Sequence, residues 1–431
     1  MKNIKPLVIS NNSLSENSSN GRTLSGFLRN IPKQNIAQIY VTGEMPESEV
    51  CDNFYQITDR DVVGMLFGKK STGRIISGKK NIRRGPARQN RKKVKKTVFT
   101  MMLRDAVWGT NIWQTETLRA WTNDFSPNVI LFFAGESKFT YNMTIKIADE
   151  YNLPIVIYNC EAYYFNETNY IKKGVLSPIL YSMFHHSFKK TFAEMMSRCA
   201  AAVYGNDKLK NDYSAKFRCN SYVLYTTSDV GFVKKELIAV PPVISYLGSL
   251  GLGRDKVLCE IADTLCDIDS SYRLDIYGRI PNDEVEKNLI DCQGINYCGV
   301  LPYDKVIEIM HKSDLLVHGE CISDFIVNNF KYAFTTKIAD SLSCGTPFLL
   351  YAPDGLACTE YLKQNNCACV VTRKEDLKDS LQRILFDQKL RSSYVDKARE
   401  IALKNHNTQK NCDEFERIIA EAAENYESNA N

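Results

Sequence analysis

Residues 246–256 read YLGSLGLGRDK, an apolar strand running into Gly248, Gly251 and Gly253, with Arg254 and Lys256 where a helix begins. Glycine lets backbone approach a phosphate closely, a helix N-terminus favours anions, and arginine adds a forked donor, so the stretch suits a diphosphate. A flexible turn with a solvent-facing Arg254 is the competing reading. Residues 332–355, YAFTTKIADSLSCGTPFLLYAPDG, describe a helix that Thr335 or Thr336 can cap, then a short apolar strand and a loop holding Gly355. Lys337 on its first turn opposes the helix dipole, a conflict that a bound phosphate would relieve. Asp340 near the same end is favourable with or without a ligand, and its carboxylate suits a vicinal diol such as a ribose.

Weaker signals surround these two. LLVHGE places His318 and Glu320 at a strand exit in a chain with five histidines; a capped or core histidine is the alternative. SNNSLSENSSNGRT follows the first strand and ends on Gly21 and Arg22, a second place for an anion or simply a β–α turn. Asp59-Arg60-Asp61 and Asp267-Ile268-Asp269 have the form of a divalent-metal motif. The first lacks an obvious preceding strand and the second sits in a connector, so both read as surface turns and no metal is expected. No GxSxG elbow, Walker loop, HExxH or zinc-deaminase pattern occurs.

The elements that must hold these residues alternate apolar strand-length runs with amphipathic helix-length runs, the pattern of parallel α/β layers. The first series predicts strands at 4–10, 36–42, 129–134, 155–159, 201–204 and 222–224, with helices from about Arg22 and over 139–151. Thr226–Pro242 is polar and ends in Val-Pro-Pro, a linker. A second series predicts strands at 243–247, 273–277, 295–298, 315–318, 348–351 and 368–371. The tail from about Lys374 is helical, its last helix starting near Thr408. The expectation is therefore an α/β protein with two Rossmann-like, doubly wound domains, 1–230 and 243–405, and a helix in 406–431 that packs back on the first. Ligands of such sheets bind outside the carboxyl ends of the strands.

Length and composition agree. The chain has 431 residues, enough for two or three domains, with 44% hydrophobic and 24% charged residues. Fourteen cysteines form no CxxC pair and no zinc spacing, so free thiols in a reducing, cytoplasmic setting are expected. MKNIKPLVIS lacks the apolar run of a signal peptide, and no stretch approaches a membrane helix. The net charge of +5 hides an asymmetry: residues 69–96 hold 13 Lys/Arg and no acid, while the remainder carries 42 basic against 50 acidic residues. Such a block implies a polyanionic partner. A nucleic acid would fit the charge, but the block has no interleaved aromatics for base stacking, and none is expected.

The second half resembles the donor-binding domain of GT-B-fold glycosyltransferases, especially the large retaining class called family 4. YLGSLGLGR is similar to the glycine-rich opening of that family, RLDIYGR to its following strand and glycine, and TKIADSLSCGTP to its Glu-Ala-hydrophobic-Ala-x-Gly-x-Pro helix. SNNSLS…NGRT, YQITDRD, LRDAVW, NCEAYYF and the closing NHNTQKNCDEF resemble a bacterial capsule or exopolysaccharide subgroup. The resemblance implies two domains facing a cleft with a C-terminal crossover helix. It implies a nucleoside-diphosphate sugar (UDP or GDP) as donor substrate, no permanently bound cofactor and no metal. Arg254, Lys337 and Glu320 take the catalytic positions, and Gly21, Arg22, Gly248, Gly253, Arg279, Thr336, Asp340 and Gly355 the binding positions. Glu320 stands in for a family glutamate whose place Tyr332 occupies. The acceptor would be lipid-linked or a polysaccharide. Residues 69–96 would form a mobile loop on the anionic inner face of the plasma membrane. A UDP-sugar 2-epimerase on the same fold is the alternative enzyme.

Overall fold

Short, mostly apolar runs become the inner strands of two parallel sheets, because helices cover both faces and leave no strand face for solvent. The computed structural model describes residues 4–14, 19–68, 73–77, 97–166, 177–235 and 238–430. Two compact units result, Met1–Leu224 with Gln409–Asn431, and Tyr225–Thr408. The polar stretch read as a linker thus groups with the second unit.

The first unit contains β1 (Pro6–Ser10), β2 (Ala37–Tyr40), β3 (Asn53–Gln56), β4 (Arg74–Ser77), β5 (Val129–Phe133), β6 (Ile155–Asn159), β7 (Cys199–Tyr204) and β8 (Asn220–Val223). Their order is β4-β3-β2-β1-β5-β6-β7-β8, with every pairing parallel except β3–β4. The helix Thr408–Ala430 belongs to this core through Phe415, Ile418, Ile419 and Ala422, one stripe at helical spacing. Its Cys412 thiol donates to the Gly26 carbonyl at 2.8 Å, and Phe415 lies 5.3 Å from the ring of Phe27.

Three expectations need correction here. β3 and β4 were not anticipated: NFYQ ends on a polar residue, yet Gln56 is buried with its amide donating to the Thr42 and Glu44 carbonyls and its oxygen accepting from Arg74 Nε. Arg74–Ser77 falls inside the 69–96 block expected to be a loop, and pairs as an antiparallel edge strand; residues 69–72 and 78–96 lie outside the described residues. Asp59-Arg60-Asp61 is the first turn of the helix Asp59–Leu66, not a surface turn, and a strand does precede it. Thr58 and Asp61 form its capping box, while Asp59 accepts from Arg104 Nε and Trp108 Nε1.

The second unit contains β9 (Ile244–Leu247), β10 (Leu274–Tyr277), β11 (Ile295–Gly299), β12 (Leu315–Gly319), β13 (Phe348–Tyr351) and β14 (Cys369–Val371). The order is β11-β10-β9-β12-β13-β14, all parallel. From β9 the chain winds outward through β10 and β11, then returns to lay β12 against the other side of β9. The carboxyl ends of β9 and β12 therefore flank the point where the winding reverses, the crevice-forming place of an open α/β sheet.

Candidate functional site

Because all six strands of the second sheet run the same way, the residues that follow them gather at one edge: Gly248 after β9, Gly278 and Arg279 after β10, Glu320 after β12, and Gly355 in the loop after β13. Two of these loops touch through bare backbone. The Gly248 amide donates to the Tyr277 carbonyl at 2.8 Å, and a Cβ on Gly278 would stand 1.8 Å from the Gly248 carbonyl oxygen, so only glycine fits position 278. Gly253 adopts φ +75 as the N-cap of the helix Arg254–Ile268, which the left-handed region makes a glycine position.

Arg254 is the first residue of that helix and reaches across the reversal point. Its Nε and Nη2 donate to the two carboxylate oxygens of Glu320 at 3.0 and 2.7 Å, a forked ion pair. The Glu320 carboxylate also meets His318 Nε2 at 3.1 Å, and the His318 ring stacks on Tyr246 at 5.9 Å. Burial opposes charge on Glu320, but the His318 contact and the Arg254 guanidinium more than offset it and hold the carboxyl down at about 2. Burial likewise works against the Arg254 cation, and Glu320 outweighs it to raise the guanidinium above its ordinary value. The pair is close to neutral as a unit. Arg254 Nη1 makes no hydrogen bond among the described residues.

The helix Thr336–Cys344 precedes β13 and so starts at this same edge. Thr335, not Thr336, is its N-cap, accepting from the Lys337 amide at 3.5 Å. A Cβ on Gly248 would stand 3.0 Å from Lys337 Cε, which places the lysine stem against the glycine loop. Asp340 sits one turn further in than the sequence suggested, accepting from Ser228 Oγ at 2.7 Å and from the Tyr303 hydroxyl at 3.3 Å. Arg279 is exposed beside Gly278. Tyr332 is buried, with the Lys331 ammonium 4.8 Å from its ring centre. Gly355 adopts φ +85. Arg254, Glu320, Gly248, Lys337 and Gly278 thus come together. Ser228, Tyr303 and Tyr246 were not foreseen, and only the placement of Gly278 directly after an apolar strand could have signalled its role.

Gly21 and Arg22 belong to the first unit. The helix there begins at Ser19, so Gly21 lies buried in its first turn and does not precede it as expected. The Arg22 side chain lies outside the described residues. Among the described residues no three His, Cys, Asp or Glu side chains form a metal-holding group.

Residues 254–417 match the family model described as glycosyl transferase-like. Solved glycosyltransferase structures share its whole fold, the two-domain GT-B type. Anabaena Alr3699/HepE in complex with UDP-glucose aligns at TM-score 0.60 with 10% identity over 97% of this chain and 99% of that one. Sucrose-phosphate synthase (tll1590) from Thermosynechococcus elongatus gives 0.60 and 9% over 97% and 98%. WaaG, a glycosyltransferase involved in lipopolysaccharide biosynthesis, gives 0.55 and 13% over 95% and 99%. No curated protein sequence matches the chain.

Proposed function

We propose that this chain is a glycosyltransferase that moves a sugar from a nucleoside-diphosphate sugar to a lipid-linked or polysaccharide acceptor in surface polysaccharide synthesis, with retention at the anomeric carbon. The observation that carries the reading is the second-unit edge. There a bare glycine loop, the first residue of one helix (Arg254) and the first turn of another (Lys337) converge at the sheet's reversal point. UDP-glucose in the Anabaena relative favours UDP over GDP, and the lipopolysaccharide role of WaaG favours a surface-glycan acceptor.

As the bond from the anomeric carbon to the diphosphate breaks, negative charge grows on the departing oxygens. Oriented cations and helix N-termini stabilise that charge at no reorganisation cost, and removing one such donor typically slows a reaction ~10²–10³-fold. Arg254 presents Nη1 because Glu320 fixes its other edge, so Glu320 acts by positioning Arg254. Lys337, whose stem lies against the glycine loop, supplies the second positive charge. Asp340 takes the ribose diol, with Ser228 and Tyr303 orienting its carboxylate. Gly248, Gly253 and Gly355 keep backbone open to the ligand, Thr336 offers a helix-start amide, Arg279 sits at the rim, and Gly21 and Arg22 serve the acceptor side. No metal is assigned a step. The setting is cytoplasmic and peripheral, on the inner face of the plasma membrane, with the 69–96 cations against anionic lipid. Among the described residues no helix is long and apolar enough to cross a bilayer.

A thermal-shift panel of UDP, GDP, ADP and their sugars tests the donor site, with stabilisation by UDP species expected. Stabilisation by none removes the assignment. Conversion of donor in the absence of acceptor would point to an epimerase instead, and activity lost in EDTA but restored by magnesium would require a metal.

A further inference from the structure

The chain passes between the two units twice, from Leu224 to Tyr225 and from Thr408 to Gln409. Just inside the second unit the two passages run side by side, with Ser228 and Asn407 paired as an isolated parallel bridge. His406 ties them together. Its carbonyl accepts from the Ser228 amide at 3.0 Å, and its Nδ1 meets the Thr226 carbonyl at 2.7 Å. Thr408 Oγ1 adds a third link, donating to Asp229 Oδ1 at 2.6 Å. A carbonyl only accepts, so Nδ1 carries the hydrogen and Nε2 is left to accept from the Tyr361 hydroxyl at 2.9 Å. The side chain is buried, and burial pushes the imidazole down to about 4 against the opposing pull of the Thr226 carbonyl, so the ring is neutral. The rings of Tyr225, Phe334 and Tyr361 pack around it.

Two contacts join this clasp to the donor site. Ser228, whose amide His406 holds, donates its hydroxyl to Asp340 Oδ1 at 2.7 Å. Phe334, stacked 6.2 Å from the imidazole, immediately precedes Thr335, the N-cap of the helix that carries Lys337 and Asp340. A hydroxyl on a loose segment gives up conformational entropy comparable in size to the bond it makes when it holds a carboxylate. Residues 226–228 are already fixed by His406, so Ser228 meets Asp340 without that loss. We propose that His406 is a positioning residue for the donor: by fixing residues 226–228 and the start of the helix Thr336–Cys344, it presents the Asp340 carboxylate to the ribose diol. Being buried, it acts through Ser228 and Phe334 and not on the ligand itself.

The inference rests on reading Asp340 as the ribose contact, and the two fail separately. Calorimetric titration of the full chain with UDP and with 2′,3′-dideoxy-UDP, which lacks the diol, gives an affinity ratio that reads the Asp340 contact. Wild type should favour UDP by about tenfold or more, the worth of hydrogen bonds to a charged acceptor. His406→Leu should shrink that ratio by about threefold or more, through weaker UDP binding with the dideoxy affinity little changed. His406→Asn, which keeps a donor towards Thr226, should hold most of it. Ser228→Ala should shrink the ratio as well, and His406→Leu added to Ser228→Ala should change it less than His406→Leu alone. Hydrogen exchange on nucleotide-free protein gives a second readout: His406→Leu should speed exchange across 336–340 more than across the helix Arg254–Ile268. An undiminished ratio in His406→Leu, or equal weakening of both nucleotides, would overturn the proposal. So would exchange no faster across 336–340 than across Arg254–Ile268. A wild-type ratio near one would overturn it while leaving the diphosphate site standing, whereas binding of neither nucleotide by wild type would remove the donor reading and the proposal together.

Discussion

Each sheet reverses its winding once, between β1 and β5 in the first unit and between β9 and β12 in the second, and the two reversal points are furnished differently. In the first, Asn11 follows β1 and Gly135 follows β5, and a Cβ on Gly135 would stand 2.3 Å from Asn11 Nδ2. Glu136 follows Gly135 directly, and Asn11 Oδ1 is buried without a hydrogen-bond partner. In the second, the same topological position holds the forked Arg254–Glu320 pair, with Lys337 against the glycine loop. One topology supplies two equivalent places, and the proposed diphosphate site is the one that the side chains furnish with cations.

Two partly buried acids repeat the lesson. Glu320 has a guanidinium fork and an imidazole, and its carboxyl is held at about 2. Asp105 in the first unit has cations nearby, yet burial prevails over Lys138, the Phe139 amide and Arg104 and lifts its carboxyl to about 6. Those cations are engaged elsewhere, Arg104 with Asp59 and Lys138 with Ser187. A nearby charge counts for little unless its geometry is committed to the acid.

Breaking the charged reversal point gives the largest effect. Arg254→Ala should cut transfer ~10²–10³-fold and, by stranding the Glu320 charge, destabilise the second unit by about 3–5 kcal/mol; steady-state kinetics and urea melts check both. Glu320→Gln comes next. The folded carboxyl lies near 2 against an ordinary 4.5, so wild type holds this stabilisation above pH 4.5 and loses it as pH falls towards 2. With the side chain only 11% exposed, the shift corresponds to about 3 kcal/mol. The variant should lack that part of the acid slope in melts run across the window. Gly278→Ala, aimed at a backbone carbonyl, should cost ~1–3 kcal/mol, and Gly135→Ala less, because the Asn11 amide it meets can turn away. Calorimetric melting of the pair sharpens the contrast between the two edges. The smallest effect is Asp105→Asn. Wild type should lose stability as pH rises from about 3.8 to about 6, since the folded state holds that proton more tightly, and the variant should not.

Much of the fold is legible in the chain. Phe348–Tyr351 declares itself as an apolar run between turn residues, because a parallel strand covered on both faces favours apolar side chains. Asn53–Gln56 and Arg74–Ser77 escape that logic: an edge region tolerates Gln56 and Arg74 once they bond to each other and to loop carbonyls. In the site, the glycine loop, Arg254 and Lys337 stand out through residue type and spacing. The partnership of Arg254 with Glu320, 66 residues away, depends on β12 lying beside β9, which no local pattern encodes. The Ser228 and Tyr303 contacts to Asp340 are hidden for the same reason, being made by distant segments that only the folded unit brings together.

The central claim is that the second reversal point binds a nucleoside diphosphate through Arg254 and Lys337. Calorimetric titration of UDP into wild type and Lys337→Ala tests it most directly. Binding by wild type, weakened about tenfold or more in the variant, is the expected result; equal affinity in the two proteins, or no heat from UDP, GDP or ADP with either, would contradict it.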